Sequence, residues 1–198
     1  TTAAGHRILT IHLGEPPKSF DWEWTDEDGK FHRDGEITPV EFWKKYVTAG
    51  LEDYVCLVDD PRAEHPKGKK IAIEHLGNVA GGDATEYLNV PNQFMKDCVR
   101  KILVEQGIPV WFGADCHPMM DRVNGAWATD LFEYDRVYGV DFDLNKEQRV
   151  RFADSAMNHA MAFAGVDVAE DGTTTRRWRV ENSWGADIAD KGYFTMSD

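Results

Sequence analysis

An α+β fold is predicted from three features of the sequence. Two stretches, 38–49 and 92–106, carry apolar residues at helical spacing. After Gly107 the pattern changes to short runs of strand character, at 109–113, 158–168, 175–182 and 191–196. An Asp-Gly pair, Asp171-Gly172, lies between two of those runs, where a hairpin would turn. On pattern the chain therefore divides into residues 1–107, mainly helical with short strands, and residues 108–198, β-rich and antiparallel.

Each element has a local reason. Residues 6–13 (HRILTIHL) read as the end of a helix stopped by Gly14 and the Pro16-Pro17 pair, and the abrupt start of that helix leads us to expect more chain upstream. Phe20, Trp22, Trp24 and Phe31 are spaced around an Asp-Gly step in 20–35, the mark of a small hairpin. Thr38 can cap a helix, Pro39 suits its first position and Glu41 completes a capping box, with Gly50 as the expected stop. Strand candidates at 54–58 and 71–75 follow. In the helix 92–106 one face gathers Phe94, Met95, Cys98, Val99, Ile102 and Leu103, so Cys98 reads as a core residue, and Gly107 ends the helix. A short helix at 146–153 is capped by Asn145 with Gln148 three residues on.

Composition narrows the function. The 198 residues suffice for one sizeable core, and a net charge of -13, from 22 basic and 35 acidic residues, disfavours nucleic acid as a partner. The 3 cysteines are odd in number, widely spaced and free of CxxC pairs, which argues against a disulfide framework or a zinc knuckle and for reduced thiols in a cytoplasmic protein. None of the 7 histidines pairs with another at metal-ligand spacing, and no cofactor is expected. No signal peptide or membrane span is legible.

Folding the chain at Asp171-Gly172 places His159 across from Asn182, or within one pair of it. Alternation then puts His159, Met161 and Phe163 on one face, with Trp178, Val180 and Asn182 on the matching face of the partner strand. Arg177, Arg179 and Glu181 take the opposite, solvent side. A His and an Asn projecting together from an apolar surface can serve a thiol protease: the imidazole takes the thiol proton and the amide oxygen holds the ring. On pattern alone the bland reading outweighs this one, with His159 structural, Trp184 in the core, and Gly185 and Gly192 in turns.

The segment WRVENSWG at 178–185, followed by KGYF at 191–194, resembles the papain-type run around an active-site asparagine, and NHAMAFAGV at 158–166 is similar to the segment bearing the catalytic histidine. HLGEPPKSFDWEW, ITPVEFWKKYV, CLVDDPR, EHLGNVAGG, YLNVP and WFGADC resemble the bleomycin hydrolase / aminopeptidase C branch, so that the likeness covers nearly the whole chain. The resemblance implies the antiparallel β half of a papain-like cysteine peptidase, plus a helical segment. It makes His159 the general base, Asn182 its orienter and Trp184 the indole that shields their hydrogen bond from water. It further implies peptide substrates cleaved at their N-termini and a closed hexamer.

The departures from the family pattern concern the nucleophile. No Gln followed at a distance by Cys-Trp occurs here, and none of Cys56, Cys98 and Cys116 has a Trp neighbour. Cys116 is expected in an exposed loop. The resemblance thus implies the His/Asn part of an aminopeptidase, inactive alone and partnered by an N-terminal half bearing the cysteine. The C-terminal arm of the family is also not found in this sequence. The competing expectation is a non-catalytic module that binds peptide or carbohydrate on the aromatics at 20–31.

Overall fold

The computed structural model describes residues 2–47, 50, 53–74, 76–77, 81–142 and 144–198. The chain forms two compact units, one from Thr1 to Tyr54 and one from Val55 to Asp198. The change of pattern at Gly107 thus falls inside the second unit.

In the first unit, helix α1 (Thr2–Leu13) ends at Gly14, whose φ of 82° closes the last turn. Strands β1 (Phe20–Thr25) and β2 (Phe31–Ile37) pair as the expected hairpin, with a bulge between Trp22 and Glu23. Helix α2 (Pro39–Tyr46) starts with the full capping box of Thr38 and Glu41. It ends at Tyr46, before the anticipated stop at Gly50. Its Phe42 meets Trp22 edge to face at 4.9 Å and its Tyr46 meets Trp24 at 5.4 Å. Trp22 and Trp24 are therefore half-buried beneath α2 as this unit's small core, not an open platform for a ligand. Of the expected platform residues, Phe31 is exposed.

The second unit is built on a six-stranded sheet. Its strands are β6 (Val110–Ala114), β7 (Met120–Asp121), β8 (Ala126–Trp127), β9 (His159–Val168), β10 (Thr175–Glu181) and β11 (Tyr193–Ser197), in the order β6-β9-β10-β11-β8-β7. All neighbours run antiparallel except β11 and β8, which are parallel. The expected alternation holds on β10: Trp178 and Val180 are buried, whereas Arg177, Arg179 and Glu181 face solvent. Trp178 and Val180 join Cys116, Trp127, Met161 and Phe194 in the core.

Helix α3 (Asn92–Lys101), continued by a π-helical turn (Ile102–Gln106), lays Val99 and Leu103 against that core. Gly107 ends it at φ 66°. Cys98 is half-buried rather than a core residue, because α3 buries none of its side chains fully. Lys96 on α3 pairs with Asp198, which also accepts from Thr175 and from Trp178 Nε1 on β10. Periodicity only half revealed two short helices of this unit, the unforeseen α4 (Tyr134–Tyr138) and the capped α5 (Lys146–Arg151).

A second sheet in this unit has three strands, β3 (Leu57–Val58), β4 (Lys70–Ala72) and β5 (Glu86–Asn89), with β5 in the middle. These replace the longer candidates at 54–58 and 71–75, and residue 75 lies outside the described residues. Asn89 is fully buried, donating to the carbonyls of Asp60 and His65 and accepting from Asp60 N. The loop it organises holds Asp60, whose carboxylate receives the Arg62 guanidinium at 2.6 and 3.0 Å and His65 Nδ1 at 2.6 Å. Lys146 and Arg151 on α5 reach the same loop through Asp59 and Glu64.

The Arg62 guanidinium, then His65, hold the Asp60 carboxyl far below the usual carboxylate range, against the opposing effect of burial. A carboxylate depressed on folding stabilises the native state above its unfolded value, about 3.9, and that stabilisation is lost as the pH falls below it. Urea unfolding between about pH 2.5 and 7 tests this. Asp60→Asn is expected to lower stability at pH 7 by about 1–3 kcal/mol and to flatten the acid limb. An unchanged acid limb would contradict the assignment.

Candidate active site

His159 opens β9, where it pairs with Ala114 of β6. Asn182 follows the last residue of β10. The hairpin between them pairs Val180 with Phe163 and Glu181 with Ala162, so continuation of the ladder sets Asn182 across from Met161. His159 thus stands two residues beyond the position opposite Asn182, because the turn closes with Ala169 N on Thr174 O; the two irregularities, one extra residue on β10 (Arg176) and one on β9 (Ala164), cancel. The side chains meet all the same, since diagonal neighbours on one face lie within reach of long side chains. His159 Nε2 and Asn182 Oδ1 are 2.8 Å apart.

The chemistry of the amide fixes the imidazole. Asn182 Oδ1 also accepts from Ser183 N at 2.8 Å, so this atom is the carbonyl oxygen. Reversing the amide would set an NH2 against a backbone N–H. An amide oxygen only accepts, so His159 Nε2 carries the proton and Nδ1 keeps its lone pair. The orientation leaves Asn182 Nδ2 buried without a hydrogen-bond partner among the described residues, a cost of about 1–3 kcal/mol. Asn182 itself is held by its N–H to Gly192 O at 3.1 Å. Gly192 has φ 90°, and a Cβ there would lie 3.1 Å from Gly185 O, so the loop closes this tightly only with glycine.

Trp184 covers the pair. Its indole stacks on the His159 ring, with centroids 5.3 Å apart and planes 21° from parallel, and packs edge-on against buried Phe194. The three residues singled out from the sequence, His159, Asn182 and Trp184, therefore stand together. His159 and Trp184 face a cavity of about 270 Å³ lined also by Cys116, His117, Arg122, Asn158 and Ile188. A hollow of similar size in the first unit, between Asp34, Glu36, Ile37, Glu41 and Lys45, holds neither thiol nor imidazole, and Asp34 there is already bound to Lys45 and Tyr46.

Cys116 corrects a further expectation. Its residue is 1% exposed, in the core rather than in an open loop. Burial pushes its thiol pKa up and Asp115 adds to the rise, opposite to what a nucleophilic cysteine needs. Two residues of the site escaped sequence reasoning. Asn158 pins the loop before the site, accepting from Cys116 N at 3.3 Å and donating to Asp115 at 2.8 Å. Arg122 lies over the Trp184 ring at 4.6 Å. The Asn124-Gly125 pair, a strong hairpin signal between β7 and β8, could have located Arg122. Among the described residues no group of three or more His, Cys, Asp or Glu is arranged to hold a metal, and no helix is long and apolar enough to cross a membrane.

This is the fold of the papain-like peptidases. The crystal structure of PepW from Lactobacillus rhamnosis HN001 matches 99% of the chain with a TM-score of 0.92 and 40% identity. The chain belongs to the Peptidase C1-like family, which matches residues 3–198. It is similar to aminopeptidase C of Lactobacillus delbrueckii subsp. lactis, with 42% identity over 97% of the chain, and to human bleomycin hydrolase, with 40% identity over 97% of the chain. It spans 42% and 43% of the length of those two relatives, and 43% of the PepW chain.

The three thiols should differ sharply in reactivity. With a disulfide reagent at neutral pH, exposed Cys56 is expected to react first and Cys116 only on unfolding. Mass mapping of the labelled peptides checks this, and equal rates at Cys56 and Cys116 would refute it.

Proposed function

We propose that this chain carries the base and its orienter for a cysteine aminopeptidase that removes N-terminal residues from peptides. The supporting observation is the 2.8 Å His159–Asn182 bond under Trp184, in a chain 42% identical to an aminopeptidase C. With Nε2 engaged, Nδ1 is the atom free to take a thiol proton. The thiolate then attacks the substrate carbonyl, the imidazolium returns its proton to the leaving amine, and water, deprotonated by the same Nδ1, releases the acyl group. Asn182 adds no charge, so it orients the imidazolium beside a thiolate without displacing the anion. Trp184 keeps water from the hydrogen bond and strengthens it.

The reading takes the nucleophile from a cysteine-bearing N-terminal half outside these 198 residues. Buried Cys116, with its raised pKa, does not suit the role; Cys56 precedes β3 and Cys98 lies on α3, and neither lines the cavity beside His159. Peptides are the substrates, no cofactor takes part, and the whole protein assembles as a closed hexamer in the cytoplasm.

Aminoacyl fluorogenic substrates test the reading in the full-length protein. His159→Ala is expected to lower kcat by at least about 10³-fold, within the range general base catalysis provides. Asn182→Ala should cost less, roughly 10–100-fold, because the base remains but its ring is loosened. The 198-residue chain alone should neither turn over these substrates nor be labelled by thiol-directed epoxides. An undiminished rate in full-length His159→Ala would contradict the assignment.

A further inference from the structure

We propose that Arg122, stacked on Trp184 at the cavity shared with His159, recognises a carboxylate on the first residue of the leaving fragment. The inference rests on the reading of His159 as the base and extends it to substrate selection.

Charge is the first observation. The chain carries 35 acidic residues against 22 basic ones, yet Arg122 makes no ion pair among the described residues. The cavity it lines contains no carboxylate. Three acids adjoin the lining residues in sequence, Asp115, Asp121 and Asp187. Asp187, beside Ile188, forms no ion pair with Arg122 among the described residues, and the other two are engaged by neighbouring N–H groups. Asp115 accepts from Asn158 at 2.8 Å. Asp121 accepts from Val123 N at 2.8 Å, Asn124 N at 3.1 Å and Asn124 Nδ2 at 2.6 Å. A guanidinium left unneutralised in so acidic a chain has its fork open for an incoming anion.

Rigidity is the second observation. The Asp121 bonds fix the turn that carries Arg122, and Gly125, at φ 70°, seats the turn so close to Ala189 that a Cβ would come within 2.8 Å of the Ala189 Cβ. The indole beneath the guanidinium, at 4.6 Å, holds it by cation–π attraction. The donors are thus ordered before a ligand arrives, and a planar fork of N–H donors matches a carboxylate in two parallel hydrogen bonds.

Position supplies the side of the substrate. The imidazole hands its proton to the leaving amine, so groups around the same cavity flank the residue that leaves. A carboxylate reaches that place from two sources, the α-carboxylate of a dipeptide or the side chain of Asp or Glu in the leaving position.

The test compares three substrates of the full-length protein: Ala-Ala-amide, Ala-Ala and Ala-Asp-amide. Only the last two carry a carboxylate on the leaving residue, one at the chain end and one on the side chain. The wild type is expected to favour at least one of these over Ala-Ala-amide in kcat/KM. Arg122→Gln should collapse that ratio by about tenfold, mainly through KM, and Arg122→Lys should restore part of it. Which ratio collapses identifies the source of the carboxylate. A parallel loss on all three substrates, with the ratios intact, would overturn the proposal and leave Arg122 as packing for Trp184. Ratios unchanged at full activity would overturn it equally. If the wild type turned over none of the three, the peptidase reading would fall first and this inference with it.

Discussion

Asn182 Oδ1 accepts from two donors, Ser183 N and His159 Nε2, and the rest of the site follows from that constraint. An oxygen that can only accept assigns the proton of the imidazole and leaves Nδ1 as the basic atom. The price is the buried, unpartnered Nδ2 of the same amide. A polar group left in that condition opposes folding, so the orientation persists because the surroundings impose it. Those surroundings are the Gly192 loop, which takes the Asn182 N–H, and the Trp184 indole, which stacks on the ring that the amide holds.

The sheet makes this possible at its rim rather than in its interior. The β9–β10 hairpin buries Met161, Trp178 and Val180 on one face, and the same face, continued past the end of β10, presents His159 and Asn182. The core thus anchors both strands within a few residues of the reacting groups, which is how rigid elements hold a site to sub-ångström tolerance. Asn158 and the Asp121 turn extend that order to the loops around the cavity.

Much of this was legible in the sequence because strong local signals agreed. The capping boxes at Thr38 and Asn145 and the alternation through Trp178, Val180 and Asn182 each specify their element without tertiary help. The segments at 158–166 and 178–185 led to His159, and to Asn182 with Trp184. What was not legible depended on long-range geometry. The two-residue register offset arises from where the turn closes, Ala169 on Thr174, a choice the Asp-Gly pair alone does not specify. Cys116 lies in a polar stretch, Asp115 to Pro118, yet the sheet closes over it, and α2 ends four residues before its glycine. The two-residue strands β7 and β8 are too short for any period to declare itself.

The account stands or falls on which nitrogen of His159 bears the proton. Long-range ¹H–¹⁵N NMR of the imidazole, at a pH where the ring is neutral, reads this directly. Protonated Nε2 with an unprotonated Nδ1, a preference weakened in Asn182→Ala, is the expected result. A neutral His159 protonated at Nδ1 would leave no lone pair for a thiol proton on the free side of the ring and would contradict the account.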